Sequence, residues 1–325
     1  MKIKEIGGEF ALIRRLSEIV PGARPEVIQG IGDDAAVLRV APEPAPYLLV
    51  TTDILVEAQH FNRAWASPEQ IGIKAAECNV SDIAAMGGTP RWMFVSLVLP
   101  ADTEVAWAEG LYRGLGQSCR RHHIAILGGD TTQGALVTVN ITLLGSVPPD
   151  RLRLRSHARP GDVLLVTGCL GASAAALALL SQGQTPSTYL REKHLAPTCR
   201  LDVAGRIASL AHAMIDISDG LGSEVGHICK ASHVGAEIRA SAIPLHDEVR
   251  AAGRLLGVDP LHWAIGGGED FELLFSMPPE NVSRLKAGGV TCYEVGRVTD
   301  RPGDVVLVSD DGAVSTLGGG YNHFQ

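Results

Sequence analysis

Short apolar runs with strand character alternate with longer helical stretches along most of the chain, and that alternation confines it to the α/β class. In the first half, strands are expected near Tyr47–Thr52, Met93–Leu99 and Leu136–Val147, with a shorter one at Ile124–Leu127. Two helices fall between them. One opens on Ser67-Pro68-Glu69-Gln70, which supplies an N-cap, a proline at the first helical position and a capping-box glutamine. The other runs from about Thr103 to His123. The basic stretch Arg151–Arg159 and the turn Pro160-Gly161-Asp162 then introduce a second block. Its strands are expected near Val163–Thr167, Met214–Ile217, Gly235–Arg239, Phe271–Ser276 and Tyr293–Val298, and its helices near Ala172–Leu180, Pro197–Leu210 and Leu221–Ser232. A chain of 325 residues is long for one ordinary core, so two domains are expected, 1–150 and 151–325, with the boundary between about 148 and 160.

Bulk properties exclude several classes. The net charge is −8 and no basic patch stands out, which argues against a nucleic-acid-binding surface. Six cysteines lie 30 or more residues apart with no C-x-x-C pair, so free thiols in a reducing cytosol are expected rather than zinc, redox or disulfide chemistry. The start, MKIKEIGGEF, lacks the apolar core of a signal peptide. The longest apolar stretch, Val163 to Leu180, is broken by Thr167, Gly168, Gly171 and Ser173. It reads as a buried strand, a glycine turn and an alanine-rich helix, with no membrane span.

The aspartates fall where a solvated surface would not put them. They stand beside glycines or at the ends of apolar strands: Gly30-Ile31-Gly32-Asp33-Asp34, Thr51-Thr52-Asp53, Asn79-Val80-Ser81-Asp82, Gly128-Gly129-Asp130 and Asp216-Ile217-Ser218-Asp219-Gly220. Gly267-Gly268-Glu269-Asp270 is similar in style. The first segment superficially fits the dinucleotide pattern G-x-G-x-x-A, but adjacent carboxylates would repel a pyrophosphate. Glycine lets the backbone approach closely, and paired acids beside it suit a hard cation. Taken singly, each segment is also compatible with ordinary turn chemistry. Asp82 is the more telling case. A carboxylate in the last turns of a helix opposes the helix dipole, and a nearby cation would reverse that cost. Gly128-Gly129-Asp130, following a short strand, reads as an amide-lined phosphate contact with one metal ligand. Five such segments favour an acidic metal centre.

Absent motifs narrow the chemistry. There is no P-loop, no H-R-D or D-F-G pairing, and no H-E-x-x-H, G-x-S-x-G or reactive-cysteine signature. The acid segments suit Mg²⁺-dependent phosphoryl transfer, with the acids as metal ligands.

In their order along the chain, GIGDDAA (30–36), TTD (51–53), NVSDIAAMGG (79–88), GGDT (128–131), DISDGL (216–221) and GGEDFELL (267–274) resemble the thiamine-monophosphate kinase family. The ending GGYNHF (319–324) is similar too, and Phe271 stands where that family often has tyrosine. The family belongs to a superfamily with aminoimidazole ribonucleotide synthetase, selenophosphate synthetase and a hydrogenase-maturation protein. The latter two carry a reactive cysteine near one terminus, and this chain has none before Cys78 and ends His-Phe-Gln. The alternatives that stay open are a relative that activates an amide or carbamoyl oxygen, and a non-catalytic binder of nucleotide or metal.

The resemblance implies an α+β chain of two domains: an N-terminal mixed sheet that pairs into a barrel in a homodimer, and a C-terminal α/β sandwich. It implies ATP and thiamine monophosphate as substrates and several Mg²⁺ ions. By motif, Asp33, Thr51, Thr52, Asp53, Asp82, Asp130, Asp216 and Asp219 are the expected metal ligands. Tyr112, Gly129, Asp130, Arg155 and Ser218 are the expected nucleotide contacts. His60, Glu269 and a C-terminal aromatic, Tyr321 or else Phe324, are expected at the thiamine phosphate. No residue presents itself as a general base, which suits a phosphate acceptor already ionised near neutral pH.

Overall fold

A computed structural model describes residues 5, 9–19, 24–42 and 44–321. After helix α1 (Glu9–Ser17), strands β1 (Val27–Gln29), β2 (Ala36–Leu38), β3 (Tyr47–Val56), β4 (Thr89–Leu99), β5 (Ala125–Gln133) and β6 (Thr138–Val147) form a six-stranded sheet in the order β1-β2-β3-β6-β4-β5. Only β4 and β5 run parallel, so the sheet is mixed as expected. Helices α2 (Pro68–Ala85) and α3 (Val105–His122) belong to the same half.

The second half is a seven-stranded sheet with β7 (Val163–Val166), β8 (Ala213–Asp216), β9 (Gly235–Arg239), β10 (Leu273–Met277), β11 (Tyr293–Thr299), β12 (Val305–Val308) and β13 (Val314–Thr316). Its order is β13-β12-β9-β11-β7-β10-β8. Helices α4 (Ala172–Ser181), α5 (Thr188–Leu195), α6 (Leu201–Ala208), α7 (Leu221–Ser232), α8 (Asp247–Leu256), α9 (Pro260–Gly266) and α10 (Pro279–Ala287) complete it. The fold is therefore the expected two-sheet α/β arrangement. Among the described residues no helix is long and apolar enough to cross a membrane.

Helix α2 decides where the site lies. Ser67 caps it through Gln70 N–H, and Gln70 returns the bond to Ser67 N–H, so the expected capping box is formed. Fourteen of its residues, Ile71 to Ser81 and Ile83 to Ala85, are buried, because both halves of the molecule pack on it. Val80 and Ile83 join the core beneath the first sheet, whereas Ala84 and Ala85 join the core of the second with Val203, Met214 and Phe275. Helix α3 approaches α2 closely through glycines. A Cβ at Gly72 would stand 2.1 Å from Leu111 O, and one at Gly114 would stand 1.9 Å from Glu69 O.

Three strands run well past their expected bounds, and one of them, β4, begins at Thr89 instead of Met93. β3 continues to Val56 because it pairs with β6 over its whole length, from Tyr47 opposite Val147 to Val56 opposite Thr138. Thr51-Thr52-Asp53 therefore lies inside the strand and not at its end. β5 likewise runs through Gly128-Gly129-Asp130, pairing in parallel with β4. Gly129 is required there by sheet packing, since a Cβ would stand 1.7 Å from Val95 O. The helix expected over Pro197–Leu210 is shorter, Leu201–Ala208, and α1, α5, α8, α9 and α10 are additional to the helices expected.

Candidate active site

Three carboxylates from distant parts of the chain converge at the junction of the two halves. Asp34 follows β1 in the glycine turn, Asp82 stands in the last turn of α2, and Asp216 ends β8. Each offers an oxygen within 4.8 Å of the others. Hydroxyls orient two of them: Thr51 Oγ1 donates to Asp82 Oδ2 at 2.5 Å, and Ser81 Oγ donates to Asp216 Oδ2 at 2.6 Å. Asp33 is held beside them by the backbone N–H groups of Arg155 (3.1 Å) and Asp34 (3.0 Å). Among the described residues, the cation paired with these acids is Arg155. Its guanidinium donates to Asp34 and stands 3.5 Å from Asp33 Oδ1.

One guanidinium does not balance this many acids. Burial, then the charge of Asp34, lifts Asp33 to about 7 and Asp53 to about 6. Asp82 and Asp216 are pushed well above the usual carboxylate range, first by burial and then by their acidic neighbours. Glu224, in the first turn of α7, is raised in the same way by burial, Asp216 and Asp219. It accepts from Asp219 N–H at 3.0 Å. One oxygen of Asp34, Oδ2, is buried with no hydrogen-bond partner among the described residues.

Next to the cluster opens a cavity of about 1340 Å³, walled by both halves. Thr52, Asp53, His60, Ser218, Asp219, Glu269 and Tyr321 all line it, so residues that the sequence assigned to metal, nucleotide and thiamine phosphate meet in one space. Val56 N–H donates to His60 Nδ1 at 2.9 Å, which leaves Nε2 to carry the proton of the neutral ring. Glu269 accepts from the buried Lys74 ammonium at 2.7 Å, and His194 Nδ1 is 3.5 Å away. Burial opposes ionisation of Glu269, but Lys74 and His194 outweigh it and hold the carboxyl below its ordinary value. Burial, followed by Lys74, drops His194 to about 4.

Several expected residues are placed differently. The two-residue alternation of β3 turns Thr51 and Asp53 toward the helix layer and Thr52 to the opposite face. There the Thr52 hydroxyl donates to Ile141 O and accepts from Asn140 Nδ2, so it does not share a ligand set with its two neighbours. Asp130 and Gly129 are exposed on the edge strand β5, and Tyr112 is exposed on α3; none of the three lines the cavity. Phe324 lies outside the described residues.

Other participants escaped the sequence reading. Asp34 was signalled by its place beside Asp33, yet it, and not Asp33, joins Asp82 and Asp216. Lys74, His194 and Glu224 gave no local signal, because their roles depend on burial against the opposite half of the molecule.

The chain matches the model of the AIR synthase related protein N-terminal domain over residues 32–147 and that of the C-terminal domain over residues 159–309. The thiamine-monophosphate kinase of Escherichia coli strain K12 is 37% identical over 329 residues, covering 98% of both chains. The structure of AaThiL complexed with AMPPCP and TMP superposes with a TM-score of 0.89 at 34% identity, covering 100% of this chain and 99% of that one. The crystal structure of thiamine monophosphate kinase from Aquifex aeolicus gives a TM-score of 0.82 at 34% identity, with 97% and 100% covered. With two AIR-synthase-related domains and whole-length similarity of this order, the chain belongs to the thiamine-monophosphate kinase family.

Proposed function

We propose that this enzyme transfers the γ-phosphoryl group of ATP to the phosphate of thiamine monophosphate, releasing ADP and thiamine diphosphate by direct in-line displacement. The observation that carries the reading is the single cavity joining Asp53 and the cluster side to His60, Glu269 and Tyr321. It is supported by a whole-length relative complexed with AMPPCP and TMP. A phosphate monoester carries about −1.5 to −2 charge at neutral pH, so the attacking oxygen needs no base to deprotonate it. Repulsion between two polyanions is the difficulty, and it is worse beside a buried acidic cluster.

The residues present fit Mg²⁺. Asp34 Oδ2 is buried with no hydrogen-bond partner among the described residues, the three clustered oxygens are carboxylates, and hard oxygen donors are what this ion prefers. Asp34, Asp82 and Asp216 would hold it, with Asp33 and Asp53 beside them. Thr51, Asp130 and Asp219 stay as further candidates from the motifs. Bound there, Mg²⁺ supplies charge neutralisation for phosphate oxygens and for the charge that develops on transfer. The chain's own residues do the rest. Thr51 and Ser81 fix the carboxylates, Arg155 offers a guanidinium to nucleotide phosphate, and Ser218 and Asp219 line the cavity. Tyr112 and Gly129 are nucleotide contacts by family likeness alone. Tyr321 would stack on a ring of the thiamine moiety.

The active form is a homodimer in this reading. Helices cover one face of the six-stranded sheet, while Ile54, Trp92, Phe94 and Leu127 stay exposed elsewhere on the sheet, at 53%, 44%, 38% and 58%. That exposed apolar surface suits a second copy. The location is cytosolic, in keeping with six unbonded cysteines, five of them buried.

Three outcomes are expected. Incubation with ATP, Mg²⁺ and thiamine monophosphate yields thiamine diphosphate and equimolar ADP, and Asp34→Asn lowers kcat by about 10²-fold or more at fixed Mg²⁺; ADP formed without diphosphate would contradict the acceptor. Phe94→Glu shifts sedimentation from dimer to monomer, whereas an unchanged dimer would locate the interface elsewhere. The third concerns pH. Asp33 and Asp53 are raised to about 7 and about 6 in the folded chain, above a normal carboxylate, so the metal-free fold binds more protons than the unfolded chain. Stability from these two groups is therefore present at low pH and lost as pH rises through 6 to 7. Mg²⁺ binds the deprotonated form. The Tm gain on adding Mg²⁺ should grow from pH 5 to pH 8, and a gain independent of pH would count against metal in this cluster.

A further inference from the structure

We propose that Lys74 is a positioning residue that clamps the two walls of the cavity together and sets its fit to thiamine monophosphate. The substrate in this statement rests on the function proposed above; the clamp does not.

Lys74 sits in the first half of α2, with its side chain only 3% exposed. A buried ammonium is costly unless it is paired and hydrogen-bonded. Its two partners come from opposite halves of the molecule. Lys74 Nζ donates to His60 O at 2.8 Å, in the turn that follows β3, and to Glu269 Oε2 at 2.7 Å, in the glycine-rich segment before β10. Both His60 and Glu269 line the cavity.

Each wall carries, at or near the contact, a non-glycine residue in backbone that favours glycine. Ala58, two residues before His60, has φ 67°, and Glu269 itself has φ 64°. Non-glycine residues in this region cost free energy and persist where surrounding contacts hold them. On the first wall, Ala58 N–H donates to Phe61 O at 2.8 Å and His60 N–H to Val56 O at 2.9 Å. On the second, Glu269 N–H donates to Ser218 O at 2.7 Å, and Ser173 Oγ reaches Glu269 Oε2 at 3.5 Å. Within each wall the bonds are local. The ammonium joins one wall to the other.

This arrangement also changes the task of Glu269. Its carboxylate is already matched by Lys74, so its charge is largely balanced before a cationic ring arrives. Glu269 then serves the site by keeping its wall in register with His60, and Lys74 sets that register. A clamp of this kind affects the substrate that touches both walls and leaves the nucleotide, held beside the acidic cluster, largely alone.

The test combines kinetics with exchange. Lys74→Gln removes the charge, and Lys74→Arg keeps it. The clamp predicts that Lys74→Gln raises KM for thiamine monophosphate at least tenfold, that KM for ATP changes by less than twofold, and that Lys74→Arg recovers part of the loss. Equal changes in both KM values, or none, would overturn it. Should Lys74→Gln not fold, Glu269→Gln weakens the same pair from the other side. In the ligand-free protein the clamp then predicts faster hydrogen–deuterium exchange over residues 57–62 on the far wall. Unchanged exchange there would reduce Glu269 to a substrate contact and overturn the proposal. The exchange result does not depend on turnover, so an enzyme that makes no thiamine diphosphate would refute the kinase reading while leaving the clamp testable.

Discussion

The arrangement depends on electrostatic repulsion among buried carboxylates. Asp34, Asp82 and Asp216 come from a turn, a helix end and a strand end, and each is pressed against the others at the junction of two sheets. Two unit charges about 4 Å apart at an effective dielectric of about 20 interact by about 4 kcal/mol. Arg155 is one cation against Asp33 and Asp34, with Asp53, Asp82 and Asp216 close by. Without a further cation the chain must keep protons on some of these acids, which is the direction in which Asp33, Asp53, Asp82 and Asp216 all move. The site is thus built to favour whatever brings positive charge. A metal ion carried with polyphosphate meets that need, and phosphate alone does not.

Packing makes the cluster possible. Helix α2 is buried along most of its length because it serves both cores, and that burial takes Asp82 out of water at one end and Lys74 nearer the other. The same helix therefore presents an acid to the carboxylate cluster and an ammonium to the cavity walls. Glycines at the α2–α3 contact allow helix axes close enough to fill the space beneath the sheet. The exposed surface of that sheet carries Trp92 and Phe94, where the proposed second copy would sit.

Much of this was legible in local sequence. Ser67 to Gln70 announced the start of α2, and the position of Asp82, unfavourable for a helix dipole, singled out a residue that the structure places in the carboxylate cluster. Residues that line the cavity, His60, Glu269 and Tyr321, were found through motifs, and the structure gathers them although they lie far apart in the chain. Strand ends were less legible. Thr52 looked equivalent to Thr51 and Asp53 because the strand was expected to stop there, and only pairing with β6 along its whole length shows that alternation sends it to the other face. Asp34 was passed over in favour of its neighbour, since adjacent acids in a glycine turn give no local sign of which one points inward. Lys74 was invisible for a different reason: a lone lysine in a helix reads as surface, and its burial comes from the half of the molecule that folds against it.

In the proposed function the converging carboxylates would form a metal centre facing the nucleotide. A crystal of the protein grown with Mn²⁺ and a non-hydrolysable ATP analogue, examined by anomalous scattering, tests it directly. The account predicts anomalous peaks bonded to oxygens of Asp34, Asp82 and Asp216 and to the analogue's phosphates. Bound nucleotide with no metal within bonding distance of these three carboxylates would contradict it.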